Sequence, residues 1–283
     1  MLFRLGMNVD EAITAYKSLS KTVFSIKPMW SNMKLSSSRL EHAIATIVHS
    51  RLNVDMGQAQ KIRMLDDKIP KWRVTQLSFA TGIDFFCSFV GASTAKNLSS
   101  PTLFRTYVPP RHASYNCTIV EAISATIAED PFFPSIDIGD MNVKETFIHG
   151  GLRLNNPLKA VLQEAELVFP GQRISLVLSI GSGAQGVIGF DTTSTSDFAK
   201  ILKKEMNDSE SISNEVAKEL SDRDVFYCRL NVDHGLEDID FKDWGRLGDV
   251  TTHTRKYLEK YDVDKKVSKM VQVLSRRTCA LYF

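Results

Sequence analysis

"FIHGGLRLNNP", Phe147 to Pro157, decides how the rest of the chain is read. A short apolar run ends in two adjacent glycines, and Asn-Asn-Pro follows within one helical turn of them. That order spells a strand, a tight turn and a capped helix start. Gly150 and Gly151 permit a close backbone crossing that a side chain would block. Asn155 and Asn156 can satisfy orphan helix N–H groups, with Asn156 as the expected N-cap and Pro157 preset for the first turn. His149, just before the glycines, stands where such a turn presents a side chain to a cleft. An imidazole titrating near ~6.5 would suit a general base.

Working outward, "LKAVLQEAELVF" continues from Pro157 as a helix, and "RISLVLSIGSG" is a continuous apolar strand of the kind covered on both faces. Upstream, Asn8 with Glu11 resembles a capping box ahead of a helical stripe running from Val9 to Val23. A second helix is expected from Ser38 to about Arg51, then a charged irregular connector over Gly57 to Pro70. "FFCSFVGA" (Phe85 to Ala92) and "LFRTYV" (Leu103 to Val108) read as strands paired across the Asn-Leu-Ser-Ser-Pro turn. Ile119 to Ala128 is a small-residue helix stopped by "EDPFFP". A polar helical region spans Ser196 to about Leu220, "VFYCRLNV" is the last strand, and two helices close the chain over about 248–277. Strands alternating with helices predict an α/β protein with a mainly parallel sheet, and no linker divides residues 1–283 into separate domains.

Bulk composition narrows the function classes. Apolar residues make up 43% and charged residues 24%, the balance of a soluble globular chain. A net charge of +2 argues against a nucleic-acid partner held by a basic surface. Ile174 to Ile180 is the longest apolar run and falls far short of the roughly 20 residues that span a bilayer. "MLFRLGMNVDEA" turns polar too early for a signal peptide. Cys87, Cys117, Cys228 and Cys279 are scattered without a Cys-x-x-Cys pair, which reads as reduced thiols in a cytoplasmic protein rather than a metal site.

Four patterns invite chemistry, each beside a plainer reading. Gly181-x-Gly183-x-x-Gly186 follows a strand, as a dinucleotide loop would, but "VIGFDTTSTSD" does not open the helix that motif requires, so a structural turn is expected. "GASTA" (Gly91 to Ala95) nearly matches the Gly-x-Ser-x-Gly nucleophile elbow, yet "KNLSSP" is no helix start and Ser93 reads as a strand-end serine. His42 and His49, seven apart on one helix, lack a third ligand, and His112, His234 and His253 read as ordinary histidines. No metal or organic cofactor is expected.

"FIHGGLRLNNPLKAVLQEAE" followed by "SLVLSIGSG" resembles the second half of a patatin-like phospholipase domain. In that family a strand ends in Asp-Gly-Gly, Asn-Asn-Pro starts a helix ending in Glu-Ala, and a strand reads Leu-Ser-Ile-Gly-Thr-Gly. "RLGMNVDEAITAYKSLSKTVF" resembles the helix downstream of the family's nucleophile turn. "TLFRTY", "CTIVEAISATIAEDPFF" and "RLNVDHGLEDIDFKDWGRLGDVTTHTRKYLE" are similar to segments of fungal members. The resemblance covers most of the chain, in order. It implies a three-layer α/β/α fold and a serine–aspartate dyad that cleaves acyl esters of lipids without a cofactor. It also implies lipid substrates, with contact at a membrane or lipid-droplet surface from the cytoplasmic side.

The chain departs from that pattern at each catalytic part. No Gly-x-Ser-x-Gly and no Asp-Gly dipeptide occurs, and the family's glycine-rich oxyanion loop has no counterpart. His149 stands at the family's aspartate position. Measured against the family, residues 1–283 read as one domain lacking its N-terminal strands, with Gly150, Gly151, Asn155, Asn156 and Pro157 kept as scaffold. The expectation is a lipid acyl-ester hydrolase by descent that is inactive as this chain. The alternative is a non-catalytic lipid- or protein-binding pseudoenzyme.

Overall fold

The computed structural model describes residues 4–25, 37–66, 87–110, 115–130, 132–140, 143–184, 209–240, 242–275 and 280–282. These fall into two compact units, Met1–Leu154 and Asn155–Phe283. Both mix helices with strands.

In the first unit, α1 (Val9–Phe24) starts as its sequence demands. The Asn8 side chain accepts from the Glu11 amide at 2.9 Å, and the Glu11 carboxylate accepts from the Asn8 amide at 2.8 Å. Two orphan helix donors are thereby satisfied reciprocally. α2 (Ser37–Leu52) buries Leu40, Ala43, Ile44 and Val48, the face its periodicity predicts. The stretch read as an irregular connector instead holds a short helix, α3 (Met56–Lys61), whose N-terminus is capped by Asp55 on the Gln58 amide at 2.9 Å.

The larger sheet runs β2-β1-β4-β3, with β1 at Phe89–Thr94, β2 at Asn97–Arg105, β3 at Ile136–Asp140 and β4 at Val143–His149. Every pair in it is antiparallel. This departs from the mainly parallel sheet expected, and connection length explains why. Only Ala95 and Lys96 separate β1 from β2, and two residues separate β3 from β4. Such links can join antiparallel strands alone, because a parallel return needs a crossover. Asn97 to Pro101, expected as a turn, is strand. Phe85 and Phe86 lie outside the described residues.

One face of this sheet meets the helices. Phe104, Phe147 and Tyr115 form an edge-to-face triangle with centroids 5.2, 5.5 and 5.9 Å apart. Both phenylalanines are fully buried, and they join Ala92, Ile138 and the buried residues of α4 (Ile119–Thr126) in one core. α4 begins with its own capping box, Thr118 with Glu121. The four-residue α5 (Gly151–Leu154) ends the unit.

The second unit is built on a three-stranded parallel sheet, β6-β5-β7, from β5 (Leu176–Ile180), β6 (Phe226–Leu230) and β7 (Ala280–Tyr282). β5 is central, which accounts for its continuous apolar sequence. α6 (Leu158–Val168) and α7 (Ser209–Ser221) pack on Val177 and Tyr227. Lys269 of α9 (Tyr261–Ser275) stands 4.8 Å over the ring of Phe226, the neighbouring residue on β6. Successive strand residues point to opposite faces, so α7 and α9 cover the two sides of the sheet. α8 (Leu247–Leu258) adds Tyr257 to a smaller core with Val232 and Val263. β7 lay hidden in the sequence, being only three residues long. No helix among the described residues is long and apolar enough to cross a membrane.

Candidate functional site

The opening stretch divides between the two units. His149 ends β4 half-buried, and its amide donates to the Ala128 carbonyl at 3.0 Å. Gly150 follows with its backbone pressed against β1: a Cβ there would stand 2.5 Å from the Gly91 carbonyl oxygen. That oxygen accepts the Thr126 hydroxyl at 2.6 Å, so the end of α4 and the glycine turn converge on one backbone group. A Cβ on Gly91 itself would fall 2.1 Å from Leu154 Cδ1, the tip of a side chain that would have to turn aside. Gly150 therefore marks a crossing of β1 and the β4–α5 turn that only bare backbone can make.

Ser93 and His149 do not form a pair. In the β1–β4 register Ala92 faces His149, and Ser93 faces Ile148. Directly paired residues point to one face and their neighbours to the other. His149 projects with Ala92 and Phe147; Ser93 projects to the opposite side. Ser93 is also fully buried, and its hydroxyl has no hydrogen-bond partner among the described residues. A nucleophile must reach both a base and a substrate. Ser93 reaches neither.

Asn156 and Pro157 open the second unit with a one-residue shift from the expected cap. α6 begins at Leu158, and Pro157 occupies the N-cap position without a side-chain bond. Asn156, 4% exposed, still does the capping: its Oδ1 accepts from the Leu158 amide at 3.2 Å. Its Nδ2 donates to the Ser209 carbonyl at 2.8 Å, at the start of α7. Pro157, with φ −77° and ψ 7°, is not itself helical, but its carbonyl accepts the first helical bond, from the Val161 amide at 2.9 Å. Asn155 is exposed.

The glycine loop after β5 spends its amides on the protein. Gly181 N–H donates to the Leu230 carbonyl at 2.8 Å, Gly183 N–H to Asn231 Oδ1 at 2.8 Å, and Ala184 N–H to the Val232 carbonyl at 2.7 Å. A phosphate cradle needs those donors free. Gly186 lies outside the described residues. What the loop does instead is make room for a polar network the sequence reading missed. Glu210 Oε1 accepts from Arg229 Nη2 at 2.8 Å and Asn231 Nδ2 at 2.9 Å, and Arg229 Nη1 donates to Ser179 at 2.9 Å. A Cβ on Gly181 would collide with Asn231 and Arg229. Arg229 and Asn231, two residues apart inside the largely apolar "VFYCRLNV", were the available signal.

The remaining candidates scatter. His42 and His49 are exposed on α2, with His49 Nδ1 turned to the Val54 carbonyl. His234 is exposed and stands 3.6 Å from Glu237, and His253 packs against Gly235. His112 and Cys279 lie outside the described residues. Among the described residues, no group of three or more His, Cys, Asp or Glu side chains could hold a metal ion. Cys117 and Cys228 are buried free thiols whose pKa values are raised chiefly by burial, Cys117 to about 12. Neither is poised as a thiolate at neutral pH. No family model matches this chain, and no curated protein matches it.

Proposed function

We propose that the chain is a patatin-like phospholipase family member, a lipid acyl-ester hydrolase by descent, whose residues 1–283 do not themselves hydrolyse esters. The reading rests on the motifs around "FIHGGLRLNNP". The observation that carries its negative half is the register of β1 on β4, which sends Ser93 and His149 to opposite faces. A dyad needs the serine hydroxyl within hydrogen-bond reach of its base. His149 could accept a proton, but Ser93 is not placed to give it one.

On this reading the protein keeps the scaffold and binds lipid or another protein instead of turning it over. The test is an esterase assay on short acyl esters, run beside vesicle binding with anionic and neutral phospholipids. Saturable binding without turnover is the expected result. Turnover that either Ser93→Ala or His149→Ala abolishes would overturn it.

A further inference from the structure

We propose that α1 is a self-association surface whose occupant is α1 of a second copy of this chain, packed antiparallel. The proposal is independent of the lipid reading. α1 places Ala12, Leu19 and Val23 against the core of its own unit, as an amphipathic helix should. Yet Val9, Ile13 and Tyr16 are 62%, 46% and 50% exposed. Spaced i, i+4 and i+7, they form a continuous apolar stripe along the helix. Single exposed apolar residues are ordinary; a row of large ones along one helix is the pattern of an anchor face.

Charge identifies the occupant. Asp10 and Lys17, also seven apart, lie together along one flank of the stripe, and both are exposed. Neither side chain takes part in a hydrogen bond or ion pair among the described residues; Glu11, by contrast, is engaged by Arg51 at 3.0 Å. A two-fold axis between two antiparallel helices sets each flank against its own copy running the other way. Asp10 then faces Lys17 of the second copy, and Lys17 faces its Asp10, on either side of a centre at Ile13 and Thr14. Parallel pairing would oppose this flank to the uncharged one. The surface is therefore self-complementary in one orientation. Exposed ion pairs fix orientation more than affinity, and one helix face supplies less than the ~1,000 Å² of a stable interface. The dimer should be weak and concentration-dependent.

Sedimentation velocity of the 283-residue chain from low to high micromolar concentration tests it, with circular dichroism to confirm that each variant is folded. The wild type should shift reversibly from monomer to dimer. Ile13→Asp should abolish the shift. Asp10→Lys or Lys17→Asp alone should weaken it several-fold, and less so at high salt. The double variant carrying both reversals should restore it. A wild type that stays monomeric throughout, as it would if its own chain covered the stripe, overturns the proposal. So does a dimer that the single reversals leave unchanged.

Discussion

A Cβ placed on Gly150 would stand 2.5 Å from the carbonyl oxygen of Gly91, the oxygen that also holds the Thr126 hydroxyl at 2.6 Å. The obstacle is backbone, which cannot swing aside. Gly150→Ala should therefore push the end of β4 off β1 and break the Thr126 bond. The expected loss is about 1–3 kcal/mol, the usual cost of overpacking. Gly151→Ala is the control, since its Cβ would meet only the His149 ring, 2.8 Å away at Nδ1, and a side chain can turn. Denaturant titration of both variants should show the first clearly less stable than the second. Equal losses would mean that the close backbone crossing is not what the glycine pair serves.

Ser93 leads to the opposite sign. Its hydroxyl is fully buried with no partner among the described residues, so it contributes desolvation cost and no bond. Ser93→Ala removes the oxygen without opening a large cavity. Stability should hold or rise, by up to ~1 kcal/mol, the lower end of the cost of an unsatisfied buried group. A thermal melt settles it: a marked drop in Tm would show that the hydroxyl has a partner that matters.

These two residues also show what could be read from the chain alone. Gly150 and Asn156 were legible because each answers a local demand, a close approach or an orphan amide, that only a few residue types meet; Gly151, whose Cβ would meet only the His149 ring, answers no such demand. The α1 capping box was legible for the same reason. Sheet direction was not. β2 carries Asn97, Ser99, Ser100 and Pro101, residues of poor strand propensity, and pairing with β1 overrides that preference. The pairing of β1 with β2 across a turn was legible, but with Asn97 to Pro101 read as that turn the strand was cut short, and the pairings of β4 with β1 and β3 that make the whole sheet antiparallel were hidden. The Ser93–His149 relation depends on register, which a single sequence does not encode. The Arg229–Glu210–Asn231 network joins residues from two elements, so no spacing could reveal it.

Cys117 predicts a pH dependence. Burial, with the nearby Glu121 carboxylate second, raises its pKa from the ordinary 9.0 to about 12. The folded state therefore binds the proton more tightly than the unfolded state. Its contribution is complete below pH 9.0 and is lost as pH rises from there toward 12. Stability measured between these limits should fall as pH rises, and the slope should be shallower in Cys117→Ala, where Tyr115 and other groups titrate unchanged. The native thiol should also react slowly with iodoacetamide at pH 8 and rapidly once unfolded. An unchanged slope in the variant would show that Cys117 is not a source of the dependence.

Asn156 joins the starts of two helices through one amide. Its Oδ1 holds the Leu158 N–H of α6 at 3.2 Å, and its Nδ2 holds the Ser209 carbonyl of α7 at 2.8 Å. Pro157, which occupies the N-cap position, has no side-chain bond to substitute for it. Asn156→Ala would leave the buried Leu158 amide without its partner and the half-buried Ser209 carbonyl without its donor, at about 1–3 kcal/mol for the buried group. Asn155→Ala, one residue earlier and exposed, should cost well under that. Denaturant titration measures the difference, and hydrogen exchange locates it. In Asn156→Ala the Leu158 amide should exchange faster than in the parent, while the β5 amides beneath α6 keep most of their protection. If Asn155→Ala proves the more damaging change, the cap belongs to Asn155 and the tie between α6 and α7 lies elsewhere.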